Sequence, residues 1–254
     1  MTIEEGIETD DFGHITHECL KLCYINICYV VNKRCLLESF VRKHDLDILI
    51  ITESRVSSAT AISLMGFQCI RFDMPESNAG IVCFLKNNLS FKINKLYCSQ
   101  RHDCIELELT LANQRIRLTA FYVSPSVILE ELQLVDALDS DIILGDFNAK
   151  NLKFGCRSDS LSGRVLSNFM SANNFLLLND NSPTYFNSYY DYSEILDLAF
   201  VRRRSVDLVR SFWVGDPDEL GSDHAPIFIE VVGRSGTSSL AEYSHFNFQK
   251  ADWK

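Results

Sequence analysis

Apolar runs that stop at polar residues recur along the chain and predict buried strands. Two such runs, "LKLCYINI" and "LDILIITES", end near Asn26 and at Glu53. The segment between them, "NKRCLLESFVRKHD", spaces its apolar residues at helical intervals behind Asn32, a candidate N-cap. Strand, helix and strand in this order predict a βαβ unit.

The rest of the chain is richer in strands. The pattern predicts "GIVCFLKN", "LSFKINKLYC", "CIELELTLA" and "RIRLTAFYV", then "DIILG", and finally "SEILDLAFV", "VDLVRSFWV" and "APIFIEVV". Glu106 and Glu108 alternate with apolar neighbours, which is typical of half-buried antiparallel strands. Further helices are predicted over 126–139 and 161–173. We therefore expect an α/β fold, a four-layer sandwich of two mixed β-sheets flanked by helices.

Length and composition favour one domain. A chain of 254 residues that is 46% hydrophobic can bury a single large core. Residues 1–18 are predicted to be an acidic disordered tail, residues 19–233 the folded domain, and residues 234–254, which lose periodicity, a linker.

The composition also excludes several classes of protein. No apolar run is long enough to cross a bilayer, and the acidic N-terminus does not resemble a signal peptide. The nine cysteines include no C-x-x-C pair and no zinc-like cluster, so we expect reduced thiols. The chain is therefore expected to be soluble, intracellular and in a reducing compartment, without a membrane.

The net charge of −10 argues mildly against nucleic-acid binding, since Lys and Arg hold phosphates. Residues 1–18 contain six of the 34 acids and none of the 24 bases, which leaves 28 acids against 24 bases, or −4, for the remainder. Much of the acidity therefore belongs to the predicted tail.

Polar residues with similar chemistry lie where apolar runs end. In "DIILGDFNAKN", a glycine ends the run and an acid and an amide follow it. The residues at such ends are Asn26, Glu53, Tyr122, Asp146, Asn148, Asp223 and His224. Asp197 lies instead inside the otherwise apolar "EILDLAFV", where a charge is costly unless it is paired. Strand ends of this kind are where α/β folds place ligands.

Taken singly, each of these residues fits a turn or another structural role. Together they provide carboxylate and amide oxygens, which hard cations such as Mg2+ prefer. An aspartate that orients a histidine, as Asp197 would orient His224, adds a positioned imidazolium. This combination favours hydrolysis of a phosphate ester.

The motifs resemble those of the endonuclease/exonuclease/phosphatase superfamily, which includes apurinic endonucleases. The match runs from about Leu20 to Val232 and keeps the order "INI", "DILIITES", "FYVSP", "GDFNA", "ILDLAFV" and "SDHAPI". The resemblance implies a sandwich of two β-sheets flanked by helices, in agreement with the pattern above.

Within that superfamily the chain most resembles the endonuclease domain of LINE-type (non-LTR) retrotransposons. "IITESR", "GDFNAKN", "LDLAFV" and the closing "FNFQKADWK" carry this likeness. The last is similar to the segment that joins such endonucleases to a reverse transcriptase, which implies fusion to one. In many relatives a Ser or Thr lies three residues before the aspartate matched by Asp197, whereas this chain has Glu194.

The resemblance implies a Mg2+-dependent endonuclease, with Mn2+ as the alternative metal, acting on double-stranded chromosomal DNA in the nucleus. Glu53 would be the main metal ligand, with Asn26 and Asp223 nearby. Asp146 would orient or deprotonate the attacking water, and Asn148 and His224 would stabilise the transition-state oxygens. Asp197 would hold His224, and Tyr122 would contact the scissile phosphate. One metal or two, and the identity of the general base, stay open.

Two basic groups are candidate DNA contacts because they follow strands of the predicted site. These residues are Arg202, Arg203, Arg204, Lys150, Lys153 and Arg157. Two alternatives to the LINE-type activity also stand. One is another hydrolase of the same fold, either an apurinic-type repair endonuclease or a phosphatase of small phosphoesters, and the other is a nucleic-acid-binding module with a dead site.

Overall fold

Two six-stranded sheets form the body of the domain. The structure, a computed structural model, describes residues 19–57, 59–73, 80–98, 102–187 and 189–233. The predicted acidic tail and the predicted linker therefore lie outside the described residues.

The strands are β1 (Cys19–Asn26), β2 (Ile48–Thr52), β3 (Phe67–Phe72), β4 (Ile81–Lys86), β5 (Ser90–Cys98), β6 (His102–Leu111), β7 (Gln114–Val123), β8 (Ile142–Asp146), β9 (Phe175–Leu177), β10 (Tyr185–Asn187), β11 (Tyr192–Glu194), β12 (Asp197–Arg202), β13 (Val209–Val214) and β14 (Ile227–Val232). The α-helices are α1 (Arg34–Lys43), α2 (Glu131–Leu134) and α3 (Leu161–Ala172). Short 3-10 helices span Val135–Ala137, Leu152–Phe154, Arg203–Leu208 and Pro217–Glu219.

Both sheets are mixed. The first has the order β13-β14-β1-β2-β4-β3, with β1 and β2 parallel, and the second has the order β5-β6-β7-β8-β12-β9, with β7 and β8 parallel. Strands β10 and β11 form a separate hairpin. In each sheet the carboxyl ends of the two parallel strands lie side by side, and predicted site residues lie at these ends.

Three apolar clusters account for the layers. The inter-sheet core includes Leu22 and Ile50 from the first sheet and Leu118 and Leu144 from the second. A second cluster joins the first sheet to α1, and a third joins the second sheet to α3. The predicted four-layer α/β sandwich is therefore confirmed, and strands covered on both faces explain the continuous apolar runs.

Three local predictions are wrong. Asn32 does not cap α1, because it has a left-handed φ of 68° and Lys33 takes the N-cap position. The helix predicted over 126–139 begins only at Glu131, because Glu130 is extended and caps it with Gln133. "SEILDLAFV" is split into β11 and β12, since the amides of Leu196 and Asp197 donate to Thr184 Oγ1.

All nine cysteines of the chain lie within the described residues, and all are free. No helix in the described part of the chain is both long and apolar enough to cross a membrane.

Candidate active site

Three neighbouring strands of the second sheet bring three polar residues into one row. The parallel pairing of β7 with β8 sets Tyr122 beside Asp146, and the antiparallel pairing of β8 with β12 sets Asp197 beside Asp146. Asp146 and Asp197 are 1% and 0% exposed. Carboxylates buried this deeply need hydrogen-bond partners or a nearby cation.

The backbone around Asp146 depends on glycine. Gly145 has a φ of 154°, and a Cβ at this position would lie 2.1 Å from the carbonyl oxygen of Phe121. Past the strand end, Asn148 adopts a left-handed φ of 45°. The "GDFN" sequence therefore provides a close approach of strands and then a sharp turn.

Amide groups hold the Asp146 carboxylate. Its Oδ1 accepts from the backbone N–H of Asn148 at 3.0 Å, and its Oδ2 accepts from Asn26 Nδ2 at 3.0 Å and from Asn148 Nδ2 at 3.2 Å. Asn148 Nδ2 also donates to the carbonyl of Val123 at 2.9 Å. Asn148 is therefore positioned to orient Asp146, while its predicted contact with reacting oxygens stays a prediction.

His224 lies between the two buried aspartates. Its Nδ1 is 2.7 Å from Asp197 Oδ2, and its Nε2 is 3.9 Å from Asp146 Oδ2. The loop that carries it is fixed to β1, because Ser222 Oγ donates to the carbonyl of Asn26 at 2.6 Å and accepts from the His224 amide at 3.1 Å. The structure thus brings together Asp146, Asp197 and His224 from distant parts of the chain.

These contacts shift the pKa values of both partners. Burial opposes the charged imidazole, but the Asp197 carboxylate and then Asp146 raise the pKa of His224 to about 10. Burial raises the pKa of Asp146 to about 7, with Asp197 adding to this effect and His224, Asn26 and Asn148 opposing it. At neutral pH His224 is therefore a buried cation beside an aspartate that titrates near neutrality.

Glu53 lies on the opposite sheet and faces the same site. It follows β2 in a left-handed conformation with a φ of 47°. Its carboxylate accepts from Asn26 Nδ2 at 3.0 Å and from Arg55 at 2.9 Å. Burial raises the pKa of Tyr122 well above its usual range, and the charge and hydrogen bond of Glu53 add to this. Tyr122 therefore stays a protonated donor next to Glu53.

The remaining oxygen donor of the predicted metal set, Asp223, is exposed, and its neighbour Ser222 bonds the carbonyl of Asn26 at the end of β1. Burial raises the pKa of the Cys28 thiol, and the charges of Glu53 and Asp223 add to this. Together with Asn26, these two carboxylates form an oxygen-rich donor set of the kind that Mg2+ prefers. These residues fit a divalent hard cation.

A second group of possible ligands consists of the three buried residues Asp146, Asp197 and His224, whose ligand atoms lie within 4.8 Å of one another. A histidine must be neutral to bind a metal, whereas His224 has a raised pKa and already bonds Asp197 at 2.7 Å. The Glu53 side of the site therefore offers the more suitable ligands, and their role in metal binding stays a prediction.

Three residues at the site were missed by the sequence analysis. The Tyr24 hydroxyl accepts from the backbone N–H of Asp146 at 2.8 Å, Arg55 pairs with Glu53, and Thr184 Oγ1 accepts from the Asp197 amide at 2.9 Å. One signal was available for Tyr24. It stands two residues before Asn26, so both side chains lie on the same face of β1.

The structure separates the two basic groups. Lys150 Nζ donates to Tyr192 Oη at 2.7 Å, and the Arg157 guanidinium lies 5.3 Å from the centre of the same ring. Both side chains therefore contact the β10–β11 hairpin, which also carries Glu194. Lys153 is exposed on the 3-10 helix that follows Asn148.

Arg202, Arg203 and Arg204 are not brought to the site. Asp197 begins β12 and Arg202 ends it, so five strand steps of about 3.3 Å separate them. Arg202 also donates to the carbonyls of Leu138, Ser140 and Asn173. These arginines therefore lie at the opposite end of β12 from Asp197, because a strand that passes through a site carries its far end away from it.

Comparisons with known proteins relate this chain to proteins of mobile elements. Residues 116–228 match the endonuclease-reverse transcriptase family. The chain is 24% identical over 204 residues to the RNA-directed DNA polymerase from mobile element jockey of Drosophila funebris, covering 77% of this chain and 22% of that protein. It is 22% identical over 223 residues to a probable RNA-directed DNA polymerase from transposon BS of Drosophila melanogaster, covering 84% and 24%. The chain thus spans less than a quarter of these relatives.

Solved structures show the same fold. The endonuclease domain of TRAS1, a telomere-specific non-LTR retrotransposon, aligns with a TM-score of 0.67 and 17% identity over 84% of this chain and 98% of that domain. The AP endonuclease LMAP from Leishmania major aligns with a TM-score of 0.65 and 13% identity over 91% and 93%. The resemblance indicated by the sequence motifs is confirmed.

Proposed function

We propose that this chain is a Mg2+-dependent DNA endonuclease that nicks one strand by hydrolysis. The nick leaves a 3′ hydroxyl from which a fused reverse transcriptase extends, on chromosomal DNA in the nucleus. The observation that carries the proposal is a continuous line of contacts from Asp197 through His224, Asp146 and Asn26 to Glu53. It joins a buried imidazolium to a candidate metal ligand.

The chemistry divides between the two sides of this line. Glu53, Asp223 and Asn26 would hold the metal, which when bound neutralises phosphate charge and acidifies water. Asp146, with a pKa raised to about 7, is suited to take the proton of the attacking water at neutral pH. The water oxygen bonds to phosphorus, the bond to the 3′ oxygen breaks, and that oxygen takes up a proton.

The surrounding donors stabilise the charge that develops. His224 is held protonated by Asp197 and faces the reacting oxygens as a fixed cation. Tyr122 provides a hydroxyl that stays protonated, because its pKa lies well above the usual range through burial and the nearby Glu53. Asn148 keeps the Asp146 carboxylate in place.

The β10–β11 hairpin offers a surface for the nucleic acid. It borders the site, since the Phe186 amide donates to the carbonyl of Asp223 at 2.7 Å. Tyr189 and Tyr190 on the hairpin are 86% and 73% exposed. Exposed aromatic rings beside Lys150 and Arg157 suit contacts with sugars or bases together with phosphates.

One set of assays tests the proposal against its alternatives. Supercoiled plasmid is incubated with Mg2+, with Mn2+ or with EDTA, and the nicks are mapped and their termini identified. We expect metal-dependent nicks with 3′ hydroxyl ends, formed about a hundredfold or more slowly by an Asp146→Asn variant. Preference for an abasic duplex would indicate a repair-type enzyme, and cleavage of only a soluble inositol phosphate would indicate a phosphatase. Binding without any cleavage would indicate a dead module.

A further inference from the structure

The phenol of Tyr24 crosses the interface between the two sheets. Tyr24 belongs to β1 of the first sheet and is 1% exposed. Its hydroxyl contacts two strands of the second sheet, accepting from the Asp146 amide at 2.8 Å and donating to the carbonyl of Phe121 at 3.1 Å. It also lies 2.8 Å from Thr52 Oγ1 on β2.

These three contacts use the full capacity of a hydroxyl group, which has one donor and two acceptor positions. The Asp146 amide and the Thr52 hydroxyl donate to Tyr24, and Tyr24 donates to Phe121. A phenylalanine at this position would keep the ring but leave a buried backbone amide and carbonyl without this partner. Such losses destabilise the groups that were bonded.

Strand β1 therefore bonds both the backbone and the side chain of Asp146. Tyr24 bonds its backbone amide, and Asn26, two residues further on the same face, bonds its carboxylate and also Glu53. We propose that Tyr24 is a positioning residue, whose hydroxyl fixes Asp146 across the sheet interface at a set distance from Glu53. This inference rests on the proposed function, because it assigns Asp146 to the water and Glu53 to the metal.

The test is Tyr24→Phe, measured as plasmid nicking under single-turnover and steady-state conditions. We expect kcat to fall by about tenfold, since small displacements of a reacting group are costly, while KM and DNA affinity in EDTA stay unchanged. In the Asp146→Asn background the same change should have little further effect, because Tyr24 acts through Asp146. If Tyr24→Phe lowered kcat by the same factor in both backgrounds, the proposal would be overturned.

Thr119→Val is the matched control. Thr119 is buried on β7 of the second sheet and bonds Ser140 at 2.5 Å, away from the site. We expect this variant to lose stability without losing kcat. If Tyr24→Phe does not fold, Thr52→Val removes one partner of the phenol and should lower kcat with the same dependence on Asp146. If neither Tyr24→Phe nor Thr52→Val lowered kcat in a folded protein, the inference would be contradicted.

A second readout does not require activity. Hydrogen exchange of the Asp146 amide should be faster in Tyr24→Phe than in Thr119→Val when both are compared with the wild type. Equal protection would overturn the positioning role. If the wild type does not nick DNA but the two variants show this exchange pattern, only the proposed function is contradicted. If Tyr24→Phe nicks DNA as fast as the wild type, only the role of Tyr24 is contradicted.

Discussion

Asp146 and Asp197 face each other directly across the antiparallel strands β8 and β12, and both are buried. Two carboxylates this close destabilise each other unless a proton or a cation lies between them. His224 provides the cation, 2.7 Å from one and 3.9 Å from the other. The protonation of this trio is therefore expected to control both catalysis and stability.

Asp197→Asn should shift the pH profile of nicking. Burial lowers the pKa of His224 and raises that of Asp146, whereas the Asp197 carboxylate raises both, so its neutralisation should lower both pKa values. The acid and alkaline limits of activity should then both move to lower pH, with a loss of about two orders of magnitude at alkaline pH. Nicking rates from pH 5 to 10 and an NMR titration of His224 measure this. A profile lowered uniformly without displacement would show that Asp197 acts only on structure.

Asp146→Asn should stabilise the domain while lowering the nicking rate by about two orders of magnitude or more. Because the pKa of Asp146 is raised to about 7 from 3.8, folding favours its protonated form. Its contribution to stability is therefore full below about pH 4 and is lost as the pH rises through 7. The Tm difference between variant and wild type should grow from pH 4 to 7 and then stay constant. A difference independent of pH would mean that burial of this carboxylate has no energetic consequence.

Glu53→Gln should weaken metal binding specifically. The amide keeps the size of the side chain but loses the charge that a hard cation needs. We expect the Mg2+ concentration for half-maximal nicking to rise by about tenfold or more, and kcat at saturating metal to fall. Glu38→Gln, which removes a carboxylate paired with Arg34 on α1, is the control. An unchanged metal titration for Glu53→Gln would place the metal elsewhere.

The sequence predicted the site where polar residues interrupted apolar strands. Asp146 after "DIILG" and Asp197 inside "EILDLAFV" were recognisable because a charge in a buried strand requires a partner. Tyr24 was not recognised, because a tyrosine among apolar residues has the same pattern whether its hydroxyl is used or not. Its role depends on which strand of the second sheet lies opposite, and that is decided by tertiary packing.

The basic groups show the same limit for DNA contacts. Because Arg202, Arg203 and Arg204 are close in sequence to Asp197, they were predicted to contact DNA at the site. Strand β12, however, carries them to its opposite end. Lys150 and Arg157 belong instead to the segment after β8, and both lie against the ring of Tyr192 on the hairpin beside the site.

The final prediction compares these two groups as contacts of the DNA backbone. Each phosphate contact adds close to one to the slope of log affinity against log salt. Lys150→Ala with Arg157→Ala should therefore weaken DNA binding and flatten the slope by about two, with nick positions largely retained because phosphates carry no sequence. Arg203→Ala with Arg204→Ala is the matched variant and should leave the slope unchanged. Fluorescence anisotropy with a duplex in EDTA, from about 50 to 200 mM salt, measures both. A slope flattened only by the changes at Arg203 and Arg204 would locate the DNA at the opposite end of β12. A nick pattern shifted by the changes at Lys150 and Arg157 would show that these two residues read bases.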